Sequence, residues 1–338
     1  MTDALPLYYA AMCQTDQPNP ARRPDMAWNV DRMIAMMESA VVGYRPFHDV
    51  RLVVFPEFAL AAPVYPTVAE LREHLAIPSD HELIGRLAAK ARELGCWLQT
   101  GSFIEIDERY PDHLFNATLL ISPEGETRAR YRKVNPWIPW EVHASPHDVP
   151  DYEDELFPVV DTELGRLGVA TCYDWLFPEV TRELALRGCE VLIRISAYMD
   201  PWGATPPTDW WTVVNRCRAI ENTAFVLACN QGAQLSHYPP FSWPGGSMAV
   251  DFDGRILAEA PPGPGERIVV APVALDVLRR ERERRVGHAM LTHLRSEAYP
   301  AARKTVFPPA ASPADLEVSR LEAKIRAIRR DRNRGETR

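Results

Sequence analysis

Strand-like and helix-like segments alternate through most of this chain, and this alternation constrains the fold more than any other feature. Short apolar runs that favour strands are followed by longer stretches with helical apolar periodicity. The helix-like stretches cover residues 26–42, 82–94, 178–186 and 209–222, and the strand-like runs cover residues 8–12, 52–55, 97–104, 115–121, 127–131, 191–195 and 224–229, with closing hairpin strands within 247–270. This order predicts a layered α/β fold, and the pattern alone does not separate a two-sheet sandwich from a doubly wound sheet.

The composition is typical of a globular protein with a large core. The chain has 338 residues, of which 46% are hydrophobic, and a formal net charge of −8. A chain of this length can bury a substantial core, and its negative charge gives no general attraction to nucleic acid. No apolar run is long enough to span a bilayer, so we expect neither a nucleic-acid nor a membrane partner.

Six cysteines are scattered along the chain, at positions 13, 96, 172, 189, 217 and 229. Because no Cys-x-x-Cys pair occurs, neither a zinc knot nor a redox motif is indicated. Scattered free thiols suit a reducing compartment. The first residues carry no basic leader, so we expect a cytoplasmic protein.

Cys172 lies where an apolar strand ends and a helix is predicted to begin. Pro178 and Glu179 suit the first turn of that helix. We therefore expect the thiol to be presented rather than buried, with nearby amides that favour its ionisation. The alternative is that Cys172 is one more small buried apolar residue, as many free cysteines are.

Two further charged residues follow predicted strands. Glu57 ends the segment Arg-Leu-Val-Val-Phe-Pro-Glu, and Lys133 comes just after the run that ends at residue 131. Strand ends carry the chemistry in many α/β folds. Taken singly, each residue could be a solvated surface charge, but together they supply a base, a cation and a nucleophile.

This combination resembles the nitrilase, or carbon-nitrogen hydrolase, superfamily, in which a Glu-Lys-Cys triad occurs in this order. The resemblance covers residues 5–275 and includes Phe-Pro-Glu at Glu57, Tyr-Arg-Lys at Lys133 and Cys-Tyr-Asp at Cys172. It is closest to the aliphatic amidase and formamidase branch, because Glu141 matches that branch's second glutamate. The segment Arg-Ile-Ser-Ala-Tyr-Met-Asp-Pro at 194–201 also resembles that branch. The resemblance implies an α-β-β-α sandwich and catalysis without a cofactor.

Each step of amide hydrolysis has a candidate residue. Glu57, if desolvated, can take the proton of Cys172, pass it to the leaving nitrogen and then activate water against the thioester. Lys133 is better suited to stabilise the oxyanion, together with the backbone N–H of Tyr173. The resemblance assigns Glu141 a supporting role beside Lys133, and its alternative is a surface acid in a loop.

Four residues are candidates for the substrate pocket. Trp137 and Tyr198 match substrate-contacting positions of the amidase branch, although both could be packed aromatics. Phe58 and His143 stand where that branch commonly has Tyr and Trp. These departures imply an acyl group that differs from that of short-chain amidases.

Other motifs offer no equal site. His143 and His147 are four residues apart, but Pro146 lies between them and argues against one helical face, so we expect no metal. The segment Gly-Gly-Ser-Met-Ala at 245–249 approaches a nucleophile elbow but reads as strand and hairpin. No phosphate loop or dinucleotide fingerprint occurs, so we expect no cofactor.

We expect two parts, a catalytic domain over residues 1–275 and a C-terminal extension over residues 276–338. Ser312 to Asp315 is predicted to cap a final helix. Its apolar stripe comprises Leu316, Leu321, Ile325 and Ile328. We expect this stripe to dock on a neighbouring subunit of a homo-oligomer, dimer or larger. Its outer basic face is interpreted as solvated rather than as an RNA contact.

The sequence therefore predicts a thiol amidohydrolase that cleaves a small non-peptide amide and releases ammonia or an amine. A hydrolase of N-carbamoyl compounds would use the same triad and is the first alternative. A nitrilase is disfavoured, because the nucleophile motif reads Cys-Tyr-Asp rather than Cys-Trp-Glu. A non-catalytic binding protein with the same fold is disfavoured by the intact triad.

Overall fold

The computed structural model of the chain describes residues 6–238, 242–310 and 312–333. Strands and helices alternate there much as the apolar pattern predicts. The strands are β1 (Tyr8–Gln14), β2 (Val50–Val54), β3 (Ile77–Pro78), β4 (Trp97–Ile106), β5 (Phe115–Ile121), β6 (Thr127–Arg132), β7 (Val159–Thr162), β8 (Gly165–Thr171), β9 (Val191–Ser196), β10 (Phe225–Asn230), β11 (Met248–Val250), β12 (Ile256–Glu259) and β13 (Arg267–Val273). The α-helices are α1 (Met26–Val41), α2 (Val68–His74), α3 (Glu82–Leu94), α4 (Pro178–Leu186), α5 (Trp210–Asn222), α6 (Leu275–Arg284), α7 (Met290–His293) and α8 (Val318–Asn333).

The strands form two sheets. The first has the order β13-β1-β2-β4-β5-β6, with β3 beside β4, and the second has the order β12-β11-β10-β9-β8-β7. The central strands β1 and β2 are parallel, as are β8, β9 and β10. Glu57, just after β2, and Cys172, just after β8, therefore lie at the carboxyl ends of parallel strands, where α/β folds commonly place functional residues.

Strand β1 shows how the layers are stacked. Ala10 and Met12 belong to the core that the two sheets share, whereas Ala11 and Cys13 belong to the core beneath α1 and α3. Successive side chains of a strand point to opposite faces, so β1 separates one sheet–sheet layer from one sheet–helix layer. Helices α4 and α5 pack against the second sheet. The expected four-layer α-β-β-α sandwich is confirmed.

Local sequence signals fix several helix ends. Helix α3 follows His81, whose ring accepts a hydrogen bond from the Leu83 N–H at 3.2 Å. It ends at Gly95, which has a φ of 65° and a left-handed conformation that glycine adopts without strain. Helix α4 begins at Pro178, whose fixed φ suits a first helical position.

Helix α6 packs on the catalytic layers. Leu275 and Leu278 are fully buried in the core of the second sheet. Arg279 forms a 2.6 Å ion pair with Glu190. The predicted domain boundary after residue 275 thus falls at the start of a helix that packs against the sandwich.

Short turns and α8 follow as a C-terminal strap. Ser312 and Asp315 cap a 3₁₀ turn, Pro313–Leu316, that precedes α8, rather than α8 itself. Leu316 and Leu321 are buried against their own chain. These two residues of the apolar stripe are therefore not available to dock on a neighbouring subunit. Ile325 and Ile328 remain partly exposed. Within the described residues, no helix has both the length and the apolar character needed to cross a membrane.

Candidate active site

Glu57 lies in a buried turn just after β2 and is only 1% exposed. Its Oε1 accepts hydrogen bonds from Lys133 Nζ at 2.8 Å and from Asn116 Nδ2 at 2.9 Å. Its Oε2 accepts one from the Ala197 N–H at 2.9 Å. The carboxylate is therefore desolvated, as a general base requires, and held in one orientation by three donors.

Lys133 follows β6 and is fully buried. Besides Glu57, its ammonium contacts both oxygens of Glu141, at 3.0 and 2.8 Å. Glu141 is thus a buried partner of the lysine and not a solvated loop acid. His143 Nε2 lies 3.4 Å from Glu141 Oε2, so the four side chains form one polar cluster.

Cys172 directly follows β8 and begins a 3₁₀ turn, Cys172–Leu176. Its φ is 50°, a left-handed value that is uncommon for a residue other than glycine. The residue is only 8% exposed. The expectation of a presented thiol is therefore wrong, because Cys172 belongs to the apolar core that the two sheets share.

Asp174 connects the cysteine turn to the lysine loop. One of its oxygens accepts hydrogen bonds from the Tyr131 hydroxyl at 2.7 Å and the Thr171 N–H at 3.0 Å. The other accepts one from the Asn135 N–H at 2.8 Å. This buried carboxylate fixes the position of Cys172 relative to Lys133.

Lys133 and Glu141 hold each other in their charged forms. Burial disfavours the ammonium, but the charges of Glu141 and Glu57 outweigh burial and raise the pKa of Lys133 well above its usual value. Burial likewise disfavours the Glu141 carboxylate. Lys133 and then His143 outweigh it and hold the pKa of Glu141 below its usual range.

The thiol of Cys172 is influenced by the same cluster. Burial, and next the charge of Glu57, raise the pKa of Cys172 well above that of an ordinary cysteine, and Lys133 offsets this only in part. This direction is opposite to the ionisation that nearby amides were expected to favour. A protonated thiol needs a base at the moment of attack.

Arg194 is a second buried cation on this side of the second sheet. It pairs in register with Ala170, two residues before Cys172. It donates hydrogen bonds to two neutral side chains, to Asn215 Oδ1 at 2.7 Å and to Ser196 Oγ at 3.3 Å. Burial lowers the pKa of Arg194 to about 10, and its charge acts on the thiol in the direction that favours the thiolate.

The expected pocket residues surround the cluster in different ways. Phe58 and Tyr198 are buried, and Trp137 packs on the same apolar cluster as Phe58. The Tyr198 hydroxyl donates to the Trp202 carbonyl at 3.1 Å. His143 is buried beside Glu141. Tyr173, whose N–H is the expected oxyanion donor, is partly exposed and has its ring against Phe177 at 5.1 Å.

The structure reveals partners that sequence reasoning missed. Asn116 is the second residue of β5 and carries no local signal, yet it contacts Glu57. Asp174 appears in the sequence only as part of the Cys-Tyr-Asp motif. Asp174 is only two residues after Cys172, and an aspartate at this distance often accepts a hydrogen bond from a nearby backbone N–H and stabilises the turn. Within residues 6–238, 242–310 and 312–333, no group of three or more His, Cys, Asp or Glu residues is arranged to hold a metal ion.

Comparison with known families identifies the chain. The family model described as Carbon-nitrogen hydrolase matches residues 9–283, which is most of the chain. The protein therefore belongs to the carbon-nitrogen hydrolase family, and the resemblance seen in the sequence motifs is confirmed.

Relatives and solved structures agree with this assignment. A formamidase from Bradyrhizobium diazoefficiens is 30% identical over 278 residues, covering 80% of this chain and 73% of that protein. A deaminated glutathione amidase from Rattus norvegicus is 34% identical over 216 residues, covering 62% of this chain and 63% of that protein. The structure of Saccharomyces cerevisiae Nit3, a member of branch 10 of the nitrilase superfamily, shares the fold with a TM-score of 0.68 and 24% identity, covering 85% of this chain and 97% of that one.

Proposed function

We propose that this protein is a cofactor-free thiol amidohydrolase that cleaves a small non-peptide amide through a thioester on Cys172. One observation carries the proposal. The Lys133 ammonium lies 2.8 Å from both Glu57 and Glu141 in a buried cluster whose charges act on the Cys172 thiol. The relatives named formamidase and amidase support an amide as the substrate.

The first half-reaction forms the thioester. Glu57 accepts the thiol proton while Sγ bonds to the amide carbonyl carbon, whose π electrons move to oxygen. Lys133 and the Tyr173 N–H stabilise that oxyanion. When the oxyanion collapses, the C–N bond breaks, and the leaving nitrogen takes the proton from Glu57.

The second half-reaction returns the enzyme to its starting state. Glu57 takes a proton from water as the water oxygen attacks the thioester carbon. The new oxyanion collapses, the C–S bond breaks, and the proton on Glu57 returns to sulfur. Glu141 keeps Lys133 charged and oriented through both steps, and the pocket wall is formed by Trp137, Tyr198, Phe58 and His143.

We also predict that the protein is a cytoplasmic homo-oligomer. Cell fractionation tests the location, and light scattering tests the subunit number.

A substrate panel tests the activity. Purified protein is incubated with formamide, acetamide, propionamide, hydrazides, N-carbamoyl compounds and nitriles, and ammonia and carbon dioxide are measured. We expect ammonia without carbon dioxide from at least one amide. Folded protein that releases ammonia only together with carbon dioxide, or from no compound, would overturn the proposal.

A further inference from the structure

Three tryptophans, Trp137, Trp140 and Trp202, contact one another and form what we call the aromatic rim. Their ring centroids are 4.5 Å apart for Trp137 and Trp140, 5.5 Å for Trp137 and Trp202, and 6.0 Å for Trp140 and Trp202. Trp140 is 52% exposed and Trp202 is 46% exposed. Large aromatic side chains grouped in this way and left half in water mark a binding surface more often than a packing defect.

Two loops carry the rim, and both are tied to the candidate catalytic groups. The Trp137 N–H donates to Glu141 Oε2 at 2.5 Å. On the other loop, the Ala197 N–H donates to Glu57, and the Trp202 N–H donates to the Met199 carbonyl at 3.3 Å. These hydrogen bonds therefore hold both rim loops in fixed positions relative to Glu57 and Glu141.

Apolar contacts connect the rim to the polar cluster. Trp137 packs on a buried cluster that contains Phe58, Ala197 and Met199. Phe58 directly follows Glu57 in the chain, and the Ala197 N–H donates to the Glu57 carboxylate. The rim and the Glu57 carboxylate therefore border the same apolar cluster.

We propose that Trp140 and Trp202 bind a neutral aromatic ring carried by the substrate on the side remote from the scissile amide. This inference rests on the proposed amidohydrolase function and names the substrate class. Half-exposed indoles favour a planar ring, since aromatic pairs gain about 0.5–1.5 kcal/mol beyond the burial of area. Pro139 and Pro201 directly precede the two tryptophans, and proline restricts the backbone at those positions.

The test compares 3-phenylpropionamide with 3-cyclohexylpropionamide, which have similar bulk but differ in ring planarity. The wild-type protein should prefer the phenyl compound in kcat/KM. In Trp140→Leu and in Trp202→Leu, the ratio of the two kcat/KM values should fall roughly three- to tenfold. Trp28→Leu is the matched control, because Trp28 is also 52% exposed but lies on α1, and it should leave the ratio unchanged.

An unchanged ratio of the two kcat/KM values in both rim variants would overturn the rim proposal. If the subunit number by light scattering changes in the same variants, the rim is instead a contact between copies of this chain.

A binding measurement tests the rim proposal separately from the proposed amidohydrolase function. Calorimetric titration of Cys172→Ala with the same two amides needs no turnover. Ring preference that disappears in Cys172→Ala/Trp202→Leu would support the rim even if no amide is hydrolysed. Hydrolysis of amides by the wild type without any ring preference would reject the rim alone.

Discussion

Arg132 and Lys133 are neighbours in the chain, both are buried, and both pair with carboxylates, yet their side chains enter different clusters. Arg132 pairs with Glu105 at 2.6 Å, with Asp107 at 2.5 Å and with Asp154 at 3.6 Å, and its guanidinium lies 4.1 Å from the centre of the Phe115 ring. Lys133 pairs instead with Glu57 and Glu141.

The two clusters differ in what lies beside them. The Arg132 cluster continues through Arg130 and Arg109 to Asp154 near the surface, so its charges compensate one another. The charges of the Lys133 cluster act on a thiol. A buried ion pair is therefore weak evidence of catalysis by itself, and the nearby nucleophile makes the difference.

Removal of the nucleophile should have the largest effect. Cys172→Ala leaves the Lys133 cluster with no group to attack the carbonyl, so turnover should fall by roughly four orders of magnitude or more. Ammonia release from the best amide of the panel measures this. Cys189→Ala, which changes another buried cysteine, is the matched control and should retain activity. Activity near the wild-type level in Cys172→Ala would show that Cys172 is not the nucleophile and that the Lys133 cluster does not differ from the Arg132 cluster in this respect.

Glu57→Gln should have the next largest effect. The substitution keeps the shape of the side chain but removes the base, so both half-reactions should slow, by roughly two to four orders of magnitude in kcat. Rapid-quench measurement of the first turnover shows which half-reaction is affected. A burst of ammonia at the wild-type rate followed by slow turnover would show that Glu57 is not the base for attack.

Lys133→Met and Arg132→Met compare the two neighbours directly. Lys133→Met should lower kcat by roughly two to three orders of magnitude, since it removes an oxyanion donor, with a much smaller change in KM. Arg132→Met should change kcat little. Lys133→Met removes the cation that Glu57 and Glu141 share, so it should lower the free energy of unfolding by about 3–5 kcal/mol. Arg132→Met should lower it less, because Arg130 still pairs with Glu105 and Asp107.

The informative quantity is kcat at a temperature where both variants are folded, with thermal unfolding measured on the same samples. If Lys133→Met loses stability but keeps most of its turnover, Lys133 has the same structural role as Arg132.

The smallest effect concerns the pH dependence of the thiol. Since the charge of Glu57 helps to raise the pKa of Cys172, alkylation by iodoacetamide should rise with pH through a midpoint above that of an ordinary cysteine. Glu57→Gln removes a negative neighbour, so the profile should shift to lower pH. Mass spectrometry of the Cys172 peptide across a pH series measures the shift. An unchanged profile would mean that Glu57 has no electrostatic influence on the thiol.

Much of the fold follows from local pattern. Residues 82–94 have a helical apolar period and are followed by Gly95, and the helix occupies those residues. Residues 115–121 and 178–186 are likewise found as predicted. The three candidate catalytic residues are also recognisable in the sequence, because each follows a predicted strand in a short motif.

The environment of the site could not be derived in the same way. Cys172 is buried in a core to which both sheets contribute, and the contact of Asn116 with Glu57 spans 59 residues. The meeting of Trp140 and Trp202 requires both loops to be in place. Such features arise from tertiary packing, to which a single-sequence pattern has no access.

The most direct test of the account is whether modification of Cys172 alone removes activity. The experiment uses Cys217→Ser protein, since Cys217 is an exposed cysteine that would react in parallel. After graded iodoacetamide treatment, peptide mapping gives the fraction of Cys172 alkylated, and ammonia release gives the residual activity. We predict that activity falls in proportion to Cys172 alkylation and that an amide substrate slows both. A protein with fully alkylated Cys172 that still hydrolyses its amide would contradict the account.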